Sequence, residues 1–159
     1  MKNKIFKYQN ALSKFPNCPS DDYMEIDKDS YRWISKNKVK GNFIPRNLIK
    51  EPPSRMLDDT DKMCMGYGLS FFDSLENALK TFVKLYLKQR EKLRSGFILD
   101  YGDSIALIKI KAQDGVAGNF NLKTGHFTFH LYENVNFDNN ISKFLDIFDK
   151  DGEINNHTE

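Results

Sequence analysis

Gly66-Tyr67-Gly68-Leu69-Ser70-Phe71-Phe72-Asp73-Ser74-Leu75-Glu76-Asn77-Ala78 is the stretch whose reading decides the fold. Its glycines give the backbone the freedom for a sharp turn. Leu69 to Phe72 then reads as a short aromatic strand. Asp73, with Glu76 three residues later, has the spacing of a capping box and predicts the start of a helix. Leu75, Leu79, Phe82 and Tyr86 recur every three or four residues and so share one helical face, which Ala78, Val83 and Leu87 widen. Lys80, Lys84 and Lys88 occupy the other face. Lys88, Arg90, Lys92 and Arg94 gather where positive charge complements a helix C-terminus, and Ser95-Gly96 predicts the stop, giving a unit from Gly66 to Leu93.

Upstream, Ile5, Tyr8, Leu12 and Phe15 have helical spacing and predict a short amphipathic helix ended by Pro16. Pro16 to Asp22 reads as a loop, and Asp29 to Ser35 as a strand. Lys36 to Met65 carries Gly41, Pro45, Pro52, Pro53 and the acidic run Asp58, Asp59 and Asp61, so it reads as a long irregular segment broken by local helical turns. Downstream, Ser104 to Ala112 predicts a half-buried strand, because Lys109 and Lys111 alternate with Ile108 and Ile110. Asp114-Gly115 and Thr124-Gly125 mark turns around a weaker strand, Val116 to Leu122. His126 to Val135 is a second clear strand, with Phe127, Phe129 and Leu131 on one face. His126, Thr128, His130 and Tyr132 fall on the other, which reads as an exposed polar face. Asn139 or Asn140 is placed to cap a last helix bearing Ile141, Phe144, Leu145 and Phe148.

Strands and helices in this order do not alternate strictly, which disfavours a doubly wound parallel sheet. The expectation is one α+β domain over residues 1–150, with a mixed or antiparallel twisted sheet and a few flanking helices, and a flexible polar tail over 151–159.

Hydrophobic residues at 40% and charged residues at 29% are the balance of a globular chain. Basic residues number 24 and acidic residues 22, so no global charge drives the chain to nucleic acid or an anionic membrane. Lys36, Lys38, Lys40, Arg46 and Lys50 form a local basic stretch without an acid, read as a solvated loop or as a weak nucleic-acid contact. Cys18 and Cys64 belong to no CxxC or Cys/His cluster, so no metal site is expected, and two reduced thiols suit a cytoplasmic protein. The N-terminal stretch lacks the apolar region of a secretory signal, and no run is long enough to span a bilayer. A soluble cytoplasmic protein is expected.

Phosphate-loop, nucleophile-elbow, zinc-helix and dinucleotide-fingerprint motifs are all missing. Three segments could carry chemistry. In Tyr31-Arg32-Trp33, an arginine between aromatics is either a phosphate ligand or a surface residue stacked on a ring. In the Gly66 to Ala78 stretch, Ser70 could bond a ribose or orient Arg32, and Tyr67, Phe71 or Phe72 could stack on a flat ring. Equally, the two phenylalanines are core, and Asp73 and Ser74 only cap the helix. In His126 to Glu133, the histidines lack a third metal ligand. Glu133 follows Leu131 in the alternation, and a carboxylate pointing to an apolar side needs a partner or a role.

Tyr31-Arg32, Gly68-Leu69-Ser70-Phe71-Phe72-Asp73-Ser74 with its helix, and Tyr132-Glu133 together resemble the ADP-ribosyltransferase-like fold, including its compact toxin relatives such as the RES-domain proteins. In that family an early strand carries an arginine or histidine that holds NAD, a middle strand with a serine and nearby aromatics leads into a helix, and a late strand supplies an acid. The resemblance runs from Tyr31 to Val135. It departs at Ser70-Phe71-Phe72, where the family has a Ser-Thr-Ser run, and at Leu131, where a second acid would precede Glu133. It implies an NAD-using ADP-ribosyltransferase or NAD glycohydrolase, such as a bacterial toxin or defence effector. Glu133 would stabilise the ribosyl cation as Arg32 holds the pyrophosphate. Ser70 would fix the ribose or the arginine, Gly68 would let NAD approach the backbone, Tyr67 or Phe71 would pack on nicotinamide, and Arg55 would be a second phosphate ligand. NAD would be the substrate, without a metal, and the acceptor a second molecule or water. The alternative is a non-enzymatic module that binds a protein partner.

Overall fold

The computed structural model describes residues 4–38 and 41–155. In chain order the elements are α1 (Gln9–Leu12), β1 (Lys28–Ile34), α2 (Arg46–Ile49), α3 (Thr60–Met65), β2 (Leu69–Phe72), α4 (Leu75–Lys88), α5 (Arg94–Tyr101), β3 (Ser104–Ile110), β4 (Gly115–Ala117), β5 (His126–Leu131) and β6 (Ile141–Asp146). The strands form one six-stranded sheet in the order β4-β5-β2-β1-β3-β6, and every neighbouring pair is antiparallel. This is the expected α+β class, with the sheet antiparallel throughout.

The alternation of each strand builds two apolar layers. Ile34, Leu69, Phe71, Ala106, Ile108, Phe127 and Phe129 pack on one face with Phe43 and Phe137. Phe72, Trp33 and Ile105 pack on the other face, against Ala78 and Phe82 of α4 and Phe97 of α5. Trp33 Nε1 donates to Ala78 O at 2.9 Å, so a ring at the end of β1 is fixed to the helix that follows β2.

Several expectations change. The cap of α4 is Ser74, whose side chain accepts from Asn77 N. Asp73 instead docks the Thr124–Gly125 turn: its N–H donates to Gly125 O at 3.0 Å, and its Oδ1 accepts from Asn77 Nδ2 at 2.8 Å. Gly125 is required there, since its φ is +70° and a Cβ would lie 2.0 Å from that oxygen. The helix ends at Lys88, where Gln89 is extended, and Ser95-Gly96 lies inside α5 rather than closing α4. Leu87, expected on the buried face, is exposed. The N-terminal helix shrinks to α1, because Phe6 bridges to Tyr132 and Lys7 N donates to Leu131 O, which ties that segment to the end of β5. The last helix is instead strand β6, paired along β3 through Leu145 with Ile105 and Phe144 with Ala106. Of the expected tail, Ile154 bridges to Phe148 and Asn155 N donates to Ile147 O, while 156–159 lie outside the described residues.

Cys18 and Cys64 form a disulfide, with Sγ–Sγ at 2.04 Å, where reduced thiols were expected. Their separation of 46 residues conceals the contact, because folding brings the Pro16–Pro19 loop against α3. Reduced thiols therefore no longer argue for a cytoplasmic location. Among the described residues no helix is long and apolar enough to cross a membrane.

Candidate functional site

β1 and β2 share one register pair, Tyr31 with Phe72. Beyond it the Arg32 side chain bridges the two strands. Its Nη1 donates to Ser70 O and its Nε to Asn42 O, both at 2.9 Å. Asn42 is held in turn, accepting from Ser35 N at 2.9 Å and donating to Ser35 O at 3.0 Å. Phe43 and Phe71 flank the guanidinium, with their ring centres 5.8 and 6.0 Å from its carbon. Burial among these groups pulls the Arg32 pKa down to about 10, so the side chain is still a cation at neutral pH. No carboxylate among the described residues forms a salt bridge with it.

Arg32 and Ser70 line a cleft of about 490 Å³. Its walls are Arg46 and Ile49 of α2 with Lys50 beyond, Asp100 and Tyr101 of α5, Asn121 and Thr124 of the turn docked on Asp73, and His126 at the start of β5. Arg46 lies over the Tyr101 ring, 5.9 Å from its centre. Burial and the nearby Arg32 charge both lower the His126 pKa, favouring its neutral ring. The Ser70 side chain is exposed, and its hydroxyl takes no protein partner among the described residues. The cleft thus offers a fixed guanidinium, two further cations, hydroxyls and aromatic edges. That set suits a phosphate-bearing ligand with a flat ring.

The other expected site residues separate. Gly68 lines the cleft, but its lack of a side chain makes room for β5, since a Cβ would stand 2.5 Å from Thr128 Cγ2. Phe71 is fully buried and presents no face to a ligand; its ring backs Arg32 from the core. Tyr67 packs on Phe15, with ring centres 6.0 Å apart, and Arg55 sits in an exposed turn; neither lines the cleft. Glu133 lies beyond the far end of β5, in a separate pocket with Lys4, Tyr132 and Asn136. Thr128 stands opposite Ser70, so Glu133 is five residues further along the chain, roughly 16 Å at about 3.3 Å per residue. The cleft end of β5 holds His126 instead. The acid expected from the late strand is therefore absent from the cleft, where Asp100 is the one lining carboxylate among the described residues.

Arg46 and Lys50 were read as part of a solvated loop. The available signal was a basic stretch with no acid; Lys36 in the same stretch is instead paired with Asp146 at 3.1 Å. Lys40, in that stretch too, lies outside the described residues. The polar face of β5 is also not exposed. Thr128 and His130 are buried beneath Tyr23, Phe6 and α3, with Cys64 Sγ 4.0 Å from His130 Nε2. Among the described residues no group of three His, Cys, Asp or Glu side chains is placed to hold a metal.

Burial lowers the His130 pKa from 6.5 to about 4, and its Nδ1 has no partner among the described residues. The unfolded chain therefore takes up this proton before the native state does. The stability from the neutral ring is complete above pH 6.5 and is lost as pH falls through 4, by roughly 3 kcal/mol at pH 4. Urea unfolding across that range should show this slope in the native protein and lose it in His130→Gln. Equal slopes in the two would rule out a neutral buried ring.

No protein-family model, curated protein or solved structure matches the chain.

Proposed function

We propose that the chain is an NAD-using enzyme of the ADP-ribosyltransferase-like class, passing ADP-ribose to an acceptor or to water. The observation that supports this is the meeting of Arg32 and Ser70, on neighbouring strands, in one cleft of nucleotide size. The early and middle strands named by the resemblance are β1 and β2, and the late strand, β5, lies on the other side of β2. Arg32, already fixed by two carbonyls, meets a pyrophosphate without first losing its own freedom. Ser70 Oγ bonds the ribose, and the Tyr101 edge packs on a ring. In hydrolysis nicotinamide leaves with the bonding electron pair, water adds at the ribose carbon, and a proton is released. The carboxylate that steadies the positive ribose is then Asp100 rather than Glu133.

Purified protein should bind and consume NAD. Arg32→Ala should weaken binding about 10- to 100-fold, the effect of a lost charge-assisted hydrogen bond. Arg32→Lys should restore little, because an ammonium cannot span two carbonyls and a phosphate. Asp100→Asn should lower turnover more than Glu133→Gln does. A native protein that neither binds nor cleaves NAD would end this proposal.

A further inference from the structure

The charge of the cleft is lopsided. Among the described residues, Arg32, Arg46 and Lys50 line it against the single carboxylate Asp100, a surplus of two positive charges. None of these cations is in a salt bridge among the described residues. His126 adds no negative charge, and its neutral ring is favoured by burial and by Arg32. Glu133 faces a separate pocket and adds no second acid, so Asp100 is left to offset the three cations.

The ligands of such a site differ in charge. Intact NAD carries a cationic nicotinamide that offsets part of its pyrophosphate charge. ADP-ribose keeps the pyrophosphate and has lost that cation. In a partly desolvated cleft with a surplus of two positive charges, a further like charge is costly, while a matched diphosphate is favoured.

We infer that the cleft holds ADP-ribose more tightly than NAD, so that a dinucleotide cleaved here leaves its ADP-ribosyl product in place. This rests on the proposed use of the cleft as a nucleotide site, but not on catalysis. In the product state the pyrophosphate spans Arg32 on β1 and the Arg46–Lys50 wall, with Ser70 beside the ribose. Release of the product, rather than bond cleavage, then limits turnover.

The test is calorimetric titration of the full chain with ADP-ribose, NAD and AMP, at low and at physiological salt. The expected result is that ADP-ribose binds at least about tenfold tighter than NAD and tighter than AMP, with a gap that narrows in salt. Arg46→Gln and Lys50→Gln, both at exposed positions, should narrow the gap while leaving the unfolding midpoint in place. ADP-ribose should also inhibit NAD consumption as a competitive product. NAD binding as tightly as ADP-ribose, or tighter, overturns the inference and leaves the NAD-using proposal standing. AMP binding as tightly as ADP-ribose overturns it too, because the pyrophosphate would then add nothing. Failure of all three ligands to bind overturns both.

Discussion

Opening the Cys18–Cys64 disulfide is expected to lower the stability of the domain by about 4 kcal/mol. The bond closes a loop of 46 residues, and the entropy regained by an unfolded chain without that closure has this size. A domain of this length is held by only about 5–15 kcal/mol, so the loss is a large share of the whole. The damage should spread towards the cleft. Cys64 belongs to α3, whose Met63 O accepts from Asn47 Nδ2 at 3.1 Å, and Asn47 N donates to Gly66 O at 3.0 Å. The wall bearing Arg46 and Lys50 thus hangs on the segment that the disulfide anchors. Guanidinium unfolding of the oxidised protein, the reduced protein and the Cys18→Ser/Cys64→Ser double variant measures the effect. A thiol titration that finds two free cysteines in the native protein would dispose of the bond itself.

Phe82→Ala is expected to cost about 3–5 kcal/mol. The ring is fully buried between α4 and the sheet, and it touches Trp33, Tyr86, Phe97 and Phe148, with centroids 5.3 to 6.1 Å apart. Deleting it leaves a void among rings that cannot all move in to fill it. Phe144→Ala makes the contrast, because that ring is 49% exposed on edge strand β6 and should cost under about 1 kcal/mol. Denaturant midpoints of the two variants decide the matter. Comparable losses would mean that Phe144 is buried after all, as a terminal helix would have it.

Phe144 also shows where local pattern stops being informative. Ile141, Phe144, Leu145 and Phe148 fit a helical face, yet the chain there pairs with β3. A short apolar run satisfies either period, and an open sheet edge beside it settles the choice. Leu69 to Phe72 had no such ambiguity: a short run with two adjacent phenylalanines between a glycine turn and a capped helix admits one reading, and β2 has those bounds. The α4 face was legible for a similar reason, since fourteen residues sustain a period that four cannot.

The candidate site was half legible. Arg32 and Ser70 stood out as polar residues placed in aromatic strands, and they meet. Glu133 stood out by the same logic and does not join them, because β5 runs antiparallel to β2 and carries its far end away from the cleft. Arg46 and Lys50 carried only the signal of an acid-free basic stretch, and Asp100 carried none. They reach the cleft from, or just beyond, short helices whose positions depend on contacts of Asn47 and Tyr101.

Residue spacing along the Gly66 to Ala78 stretch dictates a strand and a helix, since each is specified by neighbours within a few residues. The partners of that stretch are not encoded so locally. That Cys64 before it pairs with Cys18, that Gly68 yields to β5, that Asp73 docks a distant turn, and that the Ser70 carbonyl accepts from Arg32 while Glu133 lies in another pocket all follow from strand order and direction. Those are decided by the packing of two apolar layers against one sheet, which no short stretch of sequence contains.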